Sequence, residues 1–146
     1  VEWVSKDIIY READIISLHV PLTGRTHDLI TKREFSMMKS DAFLVNTARG
    51  GIVNEQDLFD ALQSGHLGGA AIDVFEEEPY TGDLATLDQC LLTAHMGSMS
   101  VDCRTRMEIE ATEEAVRFIS GEPLQSIVPE EESNNQRLSS LRTHYG

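Results

Sequence analysis

Four short apolar runs, each followed by polar or glycine-rich residues, constrain this sequence more than any other feature. The runs are Ala13–Val20, Ala42–Thr47, Gly69–Phe75 and Cys90–Ala94. Strands of a parallel sheet that is covered on both faces are apolar along most of their length, whereas half-exposed strands alternate apolar and polar residues. Because these runs show little alternation and are separated by helical or loop patterns, they predict a doubly wound α/β fold with a parallel sheet.

Helix-capping signals lie between the predicted strands. Thr31 and Glu34 have the spacing of a capping box at the start of a short helix. Asn54 is a good N-cap for a second helix, which Gly65 is expected to end. A further short helix is predicted over residues 5–11, ahead of the first strand.

A longer C-terminal helix is predicted over residues 100–120, ended by Gly121. Its apolar residues available for burial are Met107, Ile109, Ala111, Ala115, Val116 and Ile119. We therefore expect residues 1–121 to form a partial α/β domain that includes this helix. Residues 122–146 form an acidic and polar tail, which we expect to be extended or mobile from Val128 onward.

The charge and hydropathy of the sequence exclude several classes of protein. A formal net charge of −13 with no basic stripe argues against nucleic acid or anionic lipid as a partner. No apolar stretch approaches the roughly 18 residues of a membrane span, and no secretory signal pattern is present, so we expect a cytoplasmic protein. Cys90 and Cys103 form no Cys-x-x-Cys pair and no zinc-ligand spacing, so we expect reduced thiols and no metal site.

Polar residues follow three of the predicted strands. Residues 46–51 follow the second strand, Asp73 lies near the end of the third, and residues 95–98 follow the fourth. Ligands of open parallel sheets bind beyond the carboxyl ends of the strands. We therefore expect these three segments to converge on one ligand site.

Four sequence segments, taken in their order along the chain, resemble the signature segments of a known protein family. They are Leu18–Thr23 with Thr26, Val45–Val53, Gly69–Pro79 and Leu92–Ser98. Together they resemble the signature segments of the D-isomer-specific 2-hydroxyacid dehydrogenases, most of all the phosphoglycerate dehydrogenase branch. The resemblance implies part of a Rossmann-type nucleotide-binding domain with NAD as its cofactor and a small 2-hydroxy or 2-oxo acid as its substrate.

The resemblance implies that Arg49, Glu78 and His95 are catalytic, and each suits its role chemically. Histidine titrates in the range required of a group that takes the hydroxyl proton on oxidation and returns it on reduction. A carboxylate at Glu78 would favour the protonated imidazole and fix its orientation. The guanidinium of Arg49 can donate paired hydrogen bonds to the substrate carboxylate or polarise the reacting oxygen.

The resemblance also implies a set of cofactor contacts. They are expected from Thr47, Ala48, Arg49, Asp73, His95, Gly97, Ser98, Val20 and Pro21. The first three are expected on the nicotinamide side and Asp73 at the carboxamide. The loop from His95 to Ser98 also faces the cofactor in this interpretation, and the loop after Val20 borders the adenine.

Each of these residues also has a structural interpretation. Arg49 could pair on the surface, Glu78 could belong to a solvated acidic run, and His95 could be an ordinary strand-end histidine. We favour catalysis because the flanking signatures match. For Asp73 both interpretations stay open, because a buried carboxylate needs a partner and a backbone group would serve as well as a ligand. The histidines expected to be structural or exposed are His19, His27, His66 and His144.

The sequence also departs from the family pattern. The Gly-x-Gly-x-x-Gly turn that holds the pyrophosphate does not occur before Ala13, and the family's separate substrate domain is absent. We therefore expect this stretch alone to be inactive, because it is truncated or is completed by a partner. Ala94 occupies a position where proline is frequent, a change that we do not expect to abolish activity.

Two functional hypotheses follow. The first is an NAD-dependent enzyme, a homodimer when complete, that interconverts a D-2-hydroxy acid and its 2-oxo acid. Phosphoglycerate is its leading substrate, and glyoxylate or hydroxypyruvate reduction is the alternative. The second is a non-catalytic interaction module of the co-repressor kind. Retention of all three predicted catalytic residues favours the enzyme, because an interaction module has no chemical need for them.

Overall fold

A computed structural model describes residues 1–128, and a four-stranded parallel sheet is its framework. The strands are β1 (Ile15–Leu18), β2 (Phe43–Asn46), β3 (Gly69–Ile72) and β4 (Cys90–Leu92), and they pair in chain order. Each is a shorter part of one of the four predicted runs, and the predicted α/β class is confirmed. The predicted mobile tail lies outside the described residues, apart from its first residue, Val128.

The register of the sheet brings the carboxyl ends of the strands into line. Leu18 pairs with Asn46, Asn46 with Ile72, and Ile72 with Leu92. These four residues are the last of their strands. The loops that follow β1 to β4 therefore all leave the sheet at one edge, as expected of a ligand site in a parallel sheet.

The helices in the described residues lie where the sequence signals predicted them, although their ends differ in part. They are α1 (Lys6–Glu12), α2 (Lys32–Phe35), α3 (Glu55–Gln63) and α4 (Val101–Ser120), with a 3-10 turn at Asp83–Thr86. The capping box is present, with the Glu34 carboxylate accepting the Thr31 N–H at 3.0 Å. The Asn54 side chain accepts the Asp57 N–H at 3.0 Å and caps α3. Gly65 follows α3 with a left-handed φ of 71°, a conformation that glycine adopts without strain.

The core lies on one face of the sheet. Alternate strand residues are buried there against α3, among them Ile16, Leu44 and Ile72 from the strands and Leu58 and Leu62 from the helix. Residues that point the other way are exposed, including Ile15, Phe43 and Leu91. The runs are apolar enough for a sheet covered on both faces, but within residues 1–96 only one face is covered.

The chain divides into two compact units, residues 1–96 and residues 97–146. In the second unit Ser100 caps α4 and Gly121 ends it in the left-handed conformation. None of the α4 residues is buried, so the apolar side chains predicted for burial are exposed in the described residues. No helix within residues 1–128 is long and apolar enough to cross a bilayer. The boundary predicted at residue 121 stays a prediction.

Candidate active site

The contact predicted between Glu78 and His95 is present. The Nδ1 atom of His95 lies 3.0 Å from Oε2 of Glu78. The two side chains are 47% and 38% exposed, so the pair is accessible to a ligand. Because the carboxylate engages Nδ1, the other ring nitrogen, Nε2, is the one that can exchange a proton with a bound molecule.

Two hydrogen bonds hold the Glu78 carboxylate in its ionised form. Its Oε2 pairs with His95, and its Oε1 accepts the Phe75 N–H at 3.1 Å. The His95 hydrogen bond, and next the Phe75 hydrogen bond, keep the pKa of Glu78 below its usual range. The stabilisation from this carboxylate is present above the ordinary pKa of glutamate and is lost as the pH falls through the lowered, folded-state value.

The loop that carries Glu78 is fixed at a second point by Glu55, at the start of α3. The Glu55 Oε1 accepts the Glu76 N–H at 2.9 Å, and burial raises the pKa of Glu55. The rings of Phe75 and Tyr80 stack with centroids 4.2 Å apart and brace the same loop. Glu55 was not predicted as a site residue, because an acidic residue in the first turn of a helix is expected for the helix dipole alone.

Asp73 fastens the His95 loop to the end of β3. The backbone carbonyl of Asp73 accepts the His95 N–H at 2.8 Å, and its carboxylate Oδ1 accepts the Met96 N–H at 2.8 Å. The Thr93 hydroxyl donates to the same carboxylate oxygen. These bonds hold His95 at a left-handed φ of 53°, which non-glycine residues adopt only when their surroundings impose it. The backbone partner considered for Asp73 is therefore present.

Removal of the Asp73 carboxylate is expected to loosen the histidine loop. Asp73 is only 6% exposed, so Asp73→Ala leaves the Met96 N–H and the Thr93 hydroxyl without their acceptor. We expect a loss of about 1–3 kcal/mol in the free energy of unfolding, measured by urea denaturation. Asp73→Asn is the matched control, because its amide oxygen keeps the acceptor. Equal stability of Asp73→Ala and the unsubstituted protein would show that the carboxylate does not hold the loop.

Arg49 lies on a turn that the Asn46 side chain closes. Asn46, the last residue of β2, is 1% exposed. Its Oδ1 accepts the Ala48 N–H at 3.1 Å, and its Nδ2 donates to the Arg49 carbonyl at 3.0 Å. The exposed Arg49 guanidinium donates to the Ala48 carbonyl at 2.7 Å, and Thr47 on the same turn is also exposed.

Gly50 packs the Arg49 turn against the loop that carries Glu78. A Cβ atom at Gly50 would lie 2.0 Å from the Phe75 carbonyl carbon and oxygen. Only glycine permits this approach of two backbones. The turn therefore meets the first residues of the Glu78 loop, although in the described residues the guanidinium bonds to Ala48 and not to the Glu78–His95 pair.

The remaining predicted cofactor residues divide between the two units. Val20 packs against the core, and the Pro21 carbonyl accepts the Thr26 hydroxyl at 2.6 Å, so this loop is ordered at the same edge of the sheet. Gly97 and Ser98 belong to the second unit, and their cofactor contacts stay predictions.

The other histidines and the cysteines have ordinary surroundings. His19 pairs with Ser17, His27 with Asp28, and His66 with the Phe35 carbonyl at 2.8 Å, whereas His144 lies outside the described residues. Both cysteines are free and partly buried, and burial raises the pKa of Cys90 to about 11. No group of three or more potential metal ligands occurs within residues 1–128.

Comparison with known proteins adds independent findings. Residues 1–97 match the family described as D-isomer specific 2-hydroxyacid dehydrogenase, NAD binding domain. A glyoxylate reductase of Thermococcus litoralis is 40% identical over 122 residues, which cover 83% of this chain and 37% of that protein. A D-3-phosphoglycerate dehydrogenase of Methanocaldococcus jannaschii is 35% identical over 135 residues, 92% of this chain and 26% of that protein.

Solved structures agree with these matches. An NAD-dependent formate dehydrogenase from Staphylococcus aureus, in complex with NAD, superposes with a TM-score of 0.80 at 38% identity. The superposition covers 86% of this chain and 40% of that one. The chain thus spans about a quarter to two fifths of the length of the proteins it matches.

Proposed function

This chain belongs to the D-isomer-specific 2-hydroxyacid dehydrogenase family through its NAD-binding domain, and from that premise we propose that the protein interconverts a D-2-hydroxy acid and its 2-oxo acid with NAD. The observation that carries the proposal is the 3.0 Å contact between His95 and Glu78 at the carboxyl edge of the sheet. An accessible histidine oriented by a carboxylate is suited to moving a proton on and off an alcohol oxygen.

The groups at this edge fit a nicotinamide ring and a small carboxylic acid. Thr47 and Arg49 are exposed on the turn after β2, and the Ala48 and Asp73 backbones border the same edge. We propose that Thr47, Ala48 and Asp73 hold the nicotinamide end, with Val20 and Pro21 towards the adenine. Bound NAD supplies the hydride acceptor or donor for the carbon that carries the reacting oxygen.

His95 performs the proton transfer in the proposed reaction. On reduction, protonated Nε2 donates its proton to the oxygen of the 2-oxo group, which becomes a hydroxyl. On oxidation, neutral Nε2 takes that proton back. Glu78 holds Nδ1 and stabilises the positive imidazole, because its carboxylate stays ionised.

Arg49 is the proposed anchor for the substrate carboxylate. Its guanidinium is permanently charged and can donate two parallel hydrogen bonds to a carboxylate. Its present acceptor, the Ala48 carbonyl, is neutral and lies on the same turn. A substrate carboxylate would replace this acceptor with a stronger, charged one.

The comparisons favour testing short 2-oxo acids first. A glyoxylate reductase is 40% identical and a hydroxypyruvate reductase of Thermotoga maritima is also 40% identical, against 35% for the phosphoglycerate dehydrogenase. We propose a short, unphosphorylated 2-oxo acid as the substrate class ahead of phosphoglycerate and its 2-oxo form, 3-phosphohydroxypyruvate; phosphoglycerate was the substrate that the family resemblance favoured.

The test is oxidation of NADH by the protein as its gene encodes it. Glyoxylate, hydroxypyruvate and 3-phosphohydroxypyruvate are supplied in turn, and loss of absorbance at the wavelength of reduced nicotinamide is followed. We expect turnover with at least one of them. NADH binding without turnover across the panel would overturn the proposal and favour an interaction module.

Replacement of Glu78 is expected to slow reduction. Glu78→Gln keeps the size of the side chain but replaces the ionised carboxylate that holds Nδ1 of His95 with a neutral amide. Because the amide binds the positive imidazole less strongly and fixes its orientation less firmly, we expect kcat for reduction to fall by about tenfold or more. Glu77→Gln is the matched control, because Glu77 neighbours Glu78 in the same acidic run. Equal kcat for Glu78→Gln and Glu77→Gln would contradict this role.

A homodimer and a cytoplasmic location are also part of the proposal. The exposed apolar side chains of α4, including Val101, Ile109 and Val116, support a protein contact surface on that helix. The free thiols of Cys90 and Cys103 suit a reducing compartment. Light scattering of the encoded protein tests the dimer, and a monomeric mass at micromolar concentration would overturn it.

A further inference from the structure

Asn46 is a buried polar residue that the proposed reaction does not use. Within residues 1–128 its side-chain amide forms hydrogen bonds with the Ala48 N–H and the Arg49 carbonyl, both on the turn that follows it. Asparagine often makes such bonds to a nearby backbone, and the ordinary interpretation is a local turn that only stabilises the fold.

The position of Asn46 in the sheet gives this turn a rigid base. In the sheet, Asn46 pairs with Leu18 of β1 on one side and with Ile72 of β3 on the other. The side-chain amide of Asn46 therefore binds the turn that carries Arg49 to a residue that is itself fixed between β1 and β3.

A chain of hydrogen bonds joins this base to the histidine. The Asn46 backbone carbonyl accepts the Asp73 N–H at 2.9 Å, and the Asp73 carbonyl accepts the His95 N–H at 2.8 Å. The Asn46 side chain donates in turn to the Arg49 carbonyl at 3.0 Å. The backbones of Arg49 and His95 are thus connected through two buried residues, Asn46 at the end of β2 and Asp73 directly after β3.

We propose that Asn46 is a positioning residue that holds Arg49 at the distance from His95 at which one small acid can reach both. This inference rests on the proposed function of the same site. A flexible guanidinium can bind a carboxylate from many backbone positions, but catalysis needs the acid and the proton donor in one fixed geometry. Loss of the Asn46 side chain should therefore reduce turnover because Arg49 is displaced, and not because the free energy of unfolding falls.

A double-mutant cycle between Asn46 and Arg49 tests this inference in the full-length protein. The cycle compares kcat/KM for glyoxylate, or for the most active acid of the panel, after Asn46→Ala in two backgrounds. With Arg49 present we expect a decrease of about tenfold or more, since small displacements of a positioned group have effects of that size. In the Arg49→Lys background we expect a further change within about twofold, because residues that act as a unit are not additive.

The same protein offers a matched control and a second variant. Asn54→Ala also removes a side chain that makes two hydrogen bonds, to the Asp57 N–H and the Asp28 carboxylate, away from the Arg49 turn. It should change kcat/KM by the same factor in both backgrounds. Asn46→Ser keeps a short acceptor for the Ala48 N–H and should retain part of the activity; it carries the cycle if Asn46→Ala does not fold.

The possible results separate this inference from the proposed function. Oxamate is an unreactive analogue of a 2-oxo acid, and its dissociation constant from the NADH complex does not depend on turnover. The affinity for oxamate should fall in the same non-additive way as kcat/KM. An equal factor for Asn46→Ala in both backgrounds overturns the positioning role and leaves the proposed function standing. A full-length protein without turnover overturns the proposed function, and this inference with it.

Discussion

His95→Gln is expected to lower kcat for 2-oxo acid reduction by about a thousandfold, within the usual range for loss of a positioned acid–base group. Glutamine keeps a hydrogen-bonding amide beside Glu78, but it cannot deliver a proton to the substrate oxygen. The variant should still bind NADH, because the sheet edge and its loops are unchanged. Stopped-flow single-turnover reduction measures the chemical step apart from product release.

The matched control for this prediction is His66→Gln. His66 is a partly buried histidine bonded to the Phe35 carbonyl at 2.8 Å, and it precedes the amino end of β3, whereas the polar loops follow the carboxyl ends of the strands. Its substitution should leave turnover within about twofold of the unsubstituted rate, as for a surface-proximal change that touches no site. If His95→Gln retained the rate of His66→Gln, His95 would not be the proton donor.

Gly50→Ala is expected to have the second large effect. The new Cβ would stand 2.0 Å from the Phe75 carbonyl carbon and oxygen, a distance that no side-chain rotation can relieve because the neighbour is backbone. Either the Arg49 turn or the Glu78 loop must move. We expect a loss of about 3 kcal/mol or more in the free energy of unfolding, and loss of most turnover with it.

Gly24→Ala is the control for this substitution. No atom lies within 4 Å of a Cβ built at Gly24, so an alanine there should change the free energy of unfolding by less than about 0.5 kcal/mol. Urea denaturation of both variants measures the difference. Equal stability of Gly50→Ala and Gly24→Ala would mean that the two loops do not pack as closely as described.

Local signals in the sequence predicted the parts of the fold that local hydrogen bonds determine. The capping box at Thr31 and Glu34 and the cap at Asn54 depend on residues within three positions of each other, and each was found where expected. The strands were predicted too long: β1 spans Ile15–Leu18, whereas the predicted run extends from residue 13 to residue 20. Strand boundaries depend on pairing with other strands, which the pattern along one run does not record.

Long-range contacts in the site were predicted only where a family signature supplied them. The Glu78–His95 pair was expected from two matching segments, and it is present. The approach of Gly50 to Phe75 and the bond from Glu76 to Glu55 join segments with no pattern in common. Nothing in the sequence distinguishes a glycine that packs against another backbone from a glycine that only allows the chain to turn.

One measurement addresses the proton-transfer role of His95 most directly: the pH dependence of kcat for 2-oxo acid reduction, in the full-length protein and in His95→Gln. Because each reduction takes a proton from His95 in the proposed mechanism, kcat of the unsubstituted protein should fall as the pH rises. The small residual kcat of His95→Gln should not show this decrease. The same decrease of kcat with rising pH in both proteins would show that some other group donates the proton.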